Sequence, residues 1–375
     1  MSLFESNKLG DHQLANRVVM APMTRTRTSA GDVPNAMIAK YYGQRASAGL
    51  MISEATDIAP HGKGYLWTPG IFSDAQLAGW KLVTDEVHRN NGKIFMQIWH
   101  VGRMSHTSMM PGGQAPWSAT DVQAVGSNVF AHDAEGKLTY IPASKPRQLR
   151  TDEIPALIND FKTAFGNARK VGFDGVEIHS ANGYLFEQFL NGTLNTRNDQ
   201  YGGQTLENRT RFLLEVVDAA IAELGAGSVG VRLSPFGNYN SMPEDPLGED
   251  TFFYLCEELS RRGIAYIHLL YELLPKGNMQ DAVFDHQHLP DEFLKKTREC
   301  FTGSIIWCGS FNKESALAAL ATGWVDLIAF GRPFIGNPDL VARFKNDWPI
   351  VVADRSAYYT RNGEKGFVDF PNFSN

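Results

Sequence analysis

The chain has 375 residues, enough for one large core or for two ordinary domains. Its 35 Lys and Arg against 41 Asp and Glu leave a net charge of −6, which argues against nucleic acid as the main partner, because phosphate binding wants a basic face. Three cysteines (Cys256, Cys300 and Cys308) form no CxxC pair and no zinc spacing, which excludes a disulfide framework and an iron–sulfur protein and suits a reducing cytosol.

The N-terminal residues carry no apolar signal core. No apolar run approaches the roughly 20 residues needed to span a bilayer. A soluble cytoplasmic protein is expected. Residues 3–16 read as a hairpin, with Leu3-Phe4 and Gln13-Leu14 flanking a Gly10-Asp11 turn. Arg17–Pro22 is strand one. A helix is expected over Asn35–Ala48, with Gly49 as its stop signal. Leu50–Glu54 is strand two. Asp74 is expected to cap a helix running to about Asn91, with Gly92 behind it. Lys93–His100 is strand three.

Residues 102–148 break this pattern. They are rich in Ser, Gly, Pro and Met, and only Lys137–Ile141 hints at periodicity. A long loop inside a compact fold is usually functional or disordered, and this one is expected to be an excursion within a single domain of residues 1–375. Alternation then resumes. Asp152–Gly172 is a one-sided helix, and Gly175–His179 is strand four. Helix Leu206–Leu224 precedes strand five, Ser228–Leu233, and helix Thr251–Arg262 precedes strand six, Ala265–Leu270. Helix Pro290–Cys300 leads to strand seven, Ser304–Cys308. Helix Lys313–Thr322 leads to strand eight, Asp326–Phe330, and a short helix follows near Asp339–Asn346. Eight strands alternating with helices predict an α/β fold, a closed (β/α)8 TIM barrel, whose active site sits at the C-terminal ends of its strands.

Strand alternation then sorts the strand-end residues. Ile94, Met96 and Ile98 share one face of strand three, and Phe95, Gln97 and Trp99 the other. In strand five Val229, Val231 and Leu233 oppose Gly230 and Arg232. With the aliphatic faces on the helices, Gln97 and Arg232 point into the barrel. A buried arginine needs an anionic or carbonyl partner. A flavin's pyrimidine edge is one, and an internal network, for instance Arg232 with Glu177, is the other. Strands seven and eight end in Cys308-Gly-Ser-Phe-Asn312 and Phe330-Gly-Arg-Pro333, where such barrels often hold a phosphate. Strand four ends in His179, Asn182 and Tyr184, two hydrogen-bond donors and a proton source, or else a core histidine and a loop tyrosine.

These residues sit in longer motifs: Asn16-Arg-Val-Val-Met-Ala-Pro-Met-Thr-Arg25, Gln97-Ile-Trp-His-Val-Gly-Arg103, Gly175-Val-Glu-Ile-His-Ser-Ala-Asn-Gly-Tyr-Leu185, Phe189-Leu-Asn191, Asn198-Asp-Gln-Tyr-Gly-Gly203, Glu207-Asn-Arg209 and Phe330-Gly-Arg-Pro333. With them the chain resembles the old yellow enzyme family of flavin-dependent ene-reductases from about Leu3 to Pro371, most of all the bacterial branch with morphinone reductase and pentaerythritol tetranitrate reductase. The resemblance implies non-covalent FMN across the barrel mouth. Pro22, Met23 and Thr24 would line the ring with Ala55 beside them, Gln97 and Arg232 would hold the pyrimidine edge, and Gly309, Ser310, Gly331 and Arg332 would hold the phosphate. His179 and Asn182 would bind the oxygen of an activating group, Tyr184 would be the proton donor, and Tyr65, Trp99 and Tyr359 would line the substrate pocket. The family's reaction is ping-pong: NADH or NADPH reduces FMN, N5 gives a hydride to the β-carbon of an activated alkene such as an enone or nitroalkene, and the α-carbon is protonated. Its members are monomers or homodimers.

Rival readings fare worse on the residues. A metal-dependent hydrolase could draw on His100, His106 and His179, but strand one offers no ligand pair. A Schiff-base aldolase needs a lysine that no strand end carries. A flavin barrel without turnover would have no use for His179, Asn182 and Tyr184 together.

Overall fold

A computed structural model describes residues 2–271, 289–359 and 361–374. Eight parallel strands close a barrel: Val18–Met20, Leu50–Ile52, Ile94–Trp99, Gly175–Ser180, Val229–Leu233, Tyr266–Leu270, Ser304–Cys308 and Leu327–Phe330. Each pairs with the next in chain order, and strand eight pairs back to strand one. This is the expected (β/α)8 architecture, with the strands found to within a residue or two. Among the described residues no helix is long and apolar enough to cross a membrane.

The differences have local causes. The N-terminal hairpin pairs Asn7–Leu9 with His12–Leu14 instead of using Leu3-Phe4, because a tight turn at Gly10 fixes the register next to itself. The first helix, Ala36–Gln44, is capped by the Asn35 side chain and ends before Ala48. Gly49 is not its stop signal. A Cβ there would lie 2.0 Å from the Asn16 carbonyl oxygen, so glycine serves close approach to strand one. Ser73, not Asp74, caps the second helix, in a capping box with Gln76 that satisfies two otherwise orphaned N–H groups.

The two faces of each strand separate as the alternation requires. Ile94, Met96, Ile98, Val176, Ile178, Val229 and Val231 join the layer between strands and helices. Val19, Leu50, Ile52, Phe95, Ile306 and Leu327 fill the barrel, and Leu9 and Leu14 of the hairpin join them as a plug. All of these are fully buried, each stabilising the fold by about 1.5–3 kcal/mol relative to exposure. Residues 102–148 are not without structure. They carry an antiparallel hairpin, Asn128–His132 with Leu138–Pro142. Its Val129 and Ala131 cluster with Ala55, Trp99 and Tyr184, so the excursion roofs the barrel mouth.

One barrel layer is polar. Glu177 Oε1 accepts from Gln97 Nε2 at 2.7 Å, and Oε2 accepts from the Tyr266 hydroxyl at 3.1 Å and bonds His268 Nδ1 at 2.8 Å. Burial pushes the Glu177 carboxyl up, but His268, the charge of Arg232 and the Gln97 amide together bring it below its ordinary value. Gly230 makes room for this arrangement, since a Cβ there would sit 2.1 Å from the Tyr266 ring. Gly230→Ala is therefore expected to displace Tyr266 from Glu177 and to cost about 1–3 kcal/mol. Urea unfolding checks this, and an unchanged midpoint would show that the ring shifts freely.

Candidate active site

The layer above Glu177 holds His179, Arg232 and His268, which are side-by-side partners across strands four, five and six. Arg232 is almost fully buried and its Nε has no hydrogen-bond partner. The alternative of an Arg232–Glu177 pair is not what forms. Glu177 takes Gln97, Tyr266 and His268 instead, and its contact with Arg232 is electrostatic only. Gln97 thus has one N–H committed inward, leaving a second N–H and a carbonyl oxygen for a ligand.

His179 is buried with Nδ1 unpartnered. Burial, then the charge of Arg232 and the neighbouring His268, hold it well below its ordinary pKa. It is a neutral imidazole at neutral pH and so a donor through one nitrogen. Its ring lies parallel to Trp99 with centroids 6.0 Å apart and edge-on to Tyr184 at 5.2 Å. The Tyr184 hydroxyl donates to the Tyr65 hydroxyl at 3.2 Å. Burial and the neighbouring Tyr65 and Tyr239 push Tyr184 well above its ordinary pKa, and burial pushes Tyr65 up to about 12. Both phenols keep their protons at neutral pH.

Strand four ends in a turn that presents Asn182. Asn182 and Gly183 both have left-handed backbones, φ +60° and +72°. Asn182 N–H donates to Ser234 Oγ at 2.9 Å and its carbonyl accepts from Asn240 Nδ2 at 2.7 Å. Its side-chain amide has no hydrogen bond to a described residue and is available to a ligand. Tyr184 then opens the helix Leu185–Leu190.

On the opposite side of the barrel, Arg332 donates to Ser310 Oγ, so the loops after strands seven and eight meet. Ser310 has a left-handed backbone, φ +57°. Gly331 lies near Met23, whose sulfur would be 3.5 Å from a Cβ at that glycine. Pro22, Met23 and Thr24 are half-buried and Ala55 is buried. The predicted residues thus converge on one mouth, with Gln97 and Arg232 at its floor. Tyr359 is 61% exposed, lines a cleft of about 1370 Å³ beside strands four and five, and lies close enough to Tyr65 to act on it electrostatically. Sequence reasoning did not assign Tyr266 and His268, although their i, i+2 spacing on strand six shows that they share a face. Ser234, Asn240 and Glu187 carried no local signal.

The site suits FMN on its own chemistry. A buried guanidinium with an unused N–H and a half-committed amide ask for an anionic, hydrogen-bonding ring edge. Joined glycine loops with Arg332 suit a phosphate.

The sequence model of the NADH:flavin oxidoreductase / NADH oxidase family matches residues 2–350. The chain is 44% identical over 367 residues to 12-oxophytodienoate reductase 1 of Oryza sativa subsp. japonica, covering 97% of this chain and 91% of that one. Its structure is similar to morphinone reductase in complex with tetrahydroNAD (TM-score 0.92, 44% identity, 100% of this chain and 98% of that chain). It is also similar to the old yellow enzyme homologue from Zymomonas mobilis (TM-score 0.89, 38% identity, 100% of each chain).

Buried carboxyls around the mouth make stability depend on pH. Burial pushes Glu54, Asp57 and Glu187 each up to about 7. A folded pKa above the unfolded one means the folded state holds the proton more tightly. That contribution is complete below the unfolded value and is lost as pH rises through about 7. Glu54 accepts the Arg25 N–H, a bond glutamine can keep. Between pH 5.5 and 8 the thermal midpoint of Glu54→Gln is expected to fall less than that of the native protein, and parallel curves would contradict the assignment.

Proposed function

The chain belongs to the NADH:flavin oxidoreductase / NADH oxidase family, the old yellow enzyme family, and on that premise we propose that it reduces activated alkenes at the expense of NADH or NADPH. The observation that carries the reading is the meeting of a neutral His179, an unbonded Asn182 amide and a protonated Tyr184 at one mouth, above the unpartnered Arg232. Relatives named as reductases of 12-oxophytodienoate and of morphinone support the substrate class, α,β-unsaturated carbonyls and, by the same chemistry, nitroalkenes. FMN is the family's cofactor, and when bound it supplies two-electron chemistry, taking a hydride from the nicotinamide and giving one to the β-carbon of the alkene.

The protein's part is hydrogen bonding and proton transfer. His179 and Asn182 donate to the carbonyl or nitro oxygen, and they bind it more tightly as negative charge develops there. Two neutral donors hold that oxygen without permanently protonating it. Tyr184 delivers the proton to the α-carbon. Its raised pKa keeps it loaded across the working range, and Tyr65 fixes its hydroxyl. Trp99 and the excursion's Val129 and Ala131 keep water from the cluster. Arg232 and Gln97 would hold the pyrimidine edge of FMN, and Ser310 and Arg332 would hold its phosphate.

Anaerobic rapid mixing tests the reading by separating the two half-reactions. Tyr184→Phe is expected to leave flavin reduction by the nicotinamide near the native rate and to slow reoxidation by cyclohexenone about 10²–10⁴-fold. Equal slowing of both halves would reject Tyr184 as the proton donor. A purified protein without bound flavin, and unable to take up added FMN, would reject the whole reading.

A further inference from the structure

The turn that presents Asn182 and Tyr184 is built on a side chain with no role so far. Gly183 N–H donates to Glu187 Oε2 at 2.6 Å, and Ser234 Oγ donates to the same oxygen at 3.0 Å. The same Ser234 Oγ accepts Asn182 N–H at 2.9 Å. One carboxyl oxygen thus terminates a chain running from the backbone of Asn182 through Ser234, and it also grips the next residue directly. The turn needs such a hold. Asparagine tolerates the left-handed region and glycine has no preference for it, so two successive residues there fix no unique geometry by themselves. From the other side the loop after strand five closes on it, because a Cβ at Gly183 would lie 2.5 Å from the Tyr239 carbonyl oxygen. The Asn182 carbonyl is tied to that loop through Asn240.

We propose that Glu187, acting through Ser234 and the Gly183 N–H, is the positioning residue that sets the Asn182 amide and the Tyr184 phenol against the substrate oxygen site. The inference rests on the assignment of His179 and Asn182 to that oxygen. A plainer account is helix capping, since Glu187 is the third residue of the helix Leu185–Leu190, where glutamate often reaches back to the N-cap N–H. The geometry differs from that box. The bond goes past the N-cap Tyr184 to Gly183, inside the turn, and the carboxyl also holds a residue on another strand-end loop. Only Oε2 makes these bonds, so a glutamine carbonyl oxygen can replace it while its amide faces the cleft that Glu187 lines.

The experiment titrates FMN-loaded protein with a para-substituted phenol, read by the long-wavelength absorbance of the complex, in parallel with thermal midpoints and the rate of flavin reduction by the nicotinamide. Glu187→Ala is expected to weaken phenol binding about 5–30-fold, the loss of one charge-assisted or two neutral hydrogen bonds, with flavin content and flavin reduction near native. Glu187→Gln is expected to restore most of the affinity. Ser234→Ala is expected to weaken binding similarly, and the double variant by less than the product of the two losses. A lowered midpoint with native phenol affinity in Glu187→Ala would overturn the proposal in favour of capping alone, and so would a glutamine variant no better than alanine. If Glu187→Ala does not fold, Glu187→Gln and Ser234→Ala carry the test, and native affinity in Ser234→Ala overturns it. Failure of the oxygen-site assignment shows separately, as native phenol affinity in His179→Ala.

Discussion

The barrel is organised around two opposite charges that share its interior without touching. Glu177 is saturated by Gln97, Tyr266 and His268. Arg232, one layer up, feels its charge but has no hydrogen bond from it. Had the two paired directly, the guanidinium would be a closed structural ion pair, with its donors spent. The tyrosine and histidine on strand six keep it open, and Gly230 is the small residue that lets the tyrosine reach across. The consequence is an upward-facing cation whose charge is balanced from below and whose donors remain for a ligand. Such a group is expensive to bury and is retained where a ligand completes it.

The rest of the mouth follows from that floor. Burial, with Arg232 and His268 beside it, keeps His179 neutral, which fixes the kind of donor it can be. Its ring is set parallel to Trp99 and edge-on to Tyr184, and Tyr184 is set against Tyr65. In the proposed reaction a phenol that holds its proton and a neutral imidazole would divide the labour, Tyr184 protonating carbon and His179 stabilising charge on oxygen. The excursion after strand three closes this cluster from above with apolar side chains. The phosphate-type loops lie at the far end, joined by Arg332 and Ser310, so the site runs from the end of strand eight to the end of strand four.

Much of this was legible in the sequence because a barrel strand has a strict period of two. Gln97 and Arg232 could be turned inward from their neighbours alone, and Val229, Val231 and Leu233 pack outward as that requires. The closed barrel followed from counting alternations. Helix ends were less legible, because a cap is decided by which side chain reaches the free N–H groups, and Ser73 outcompetes the adjacent Asp74. The hairpin at Asn128–Pro142 is only half legible, because the exposed positions of its second strand carry Leu138, Tyr140 and Pro142, so burial alternates there without an apolar–polar alternation in the sequence. Contacts between distant segments were not legible at all. Which residue Glu177 would choose, and that Glu187 and Ser234 would meet beneath Asn182, depend on how strand-end loops fold over one another. Tyr359, placed by family resemblance, lines the cleft with most of its side chain exposed.

On the proposed reading Arg232 is an unfilled donor that serves the flavin. The most direct measurement is the rise in thermal midpoint when FMN is added to flavin-free protein, compared between the native chain and Arg232→Met. A charged hydrogen bond contributes about 1.5–3 kcal/mol, so the variant should bind FMN roughly 10–100-fold more weakly and gain correspondingly less stability from it. Equal gains in the two proteins would contradict the account and return Arg232 to a structural role within the barrel.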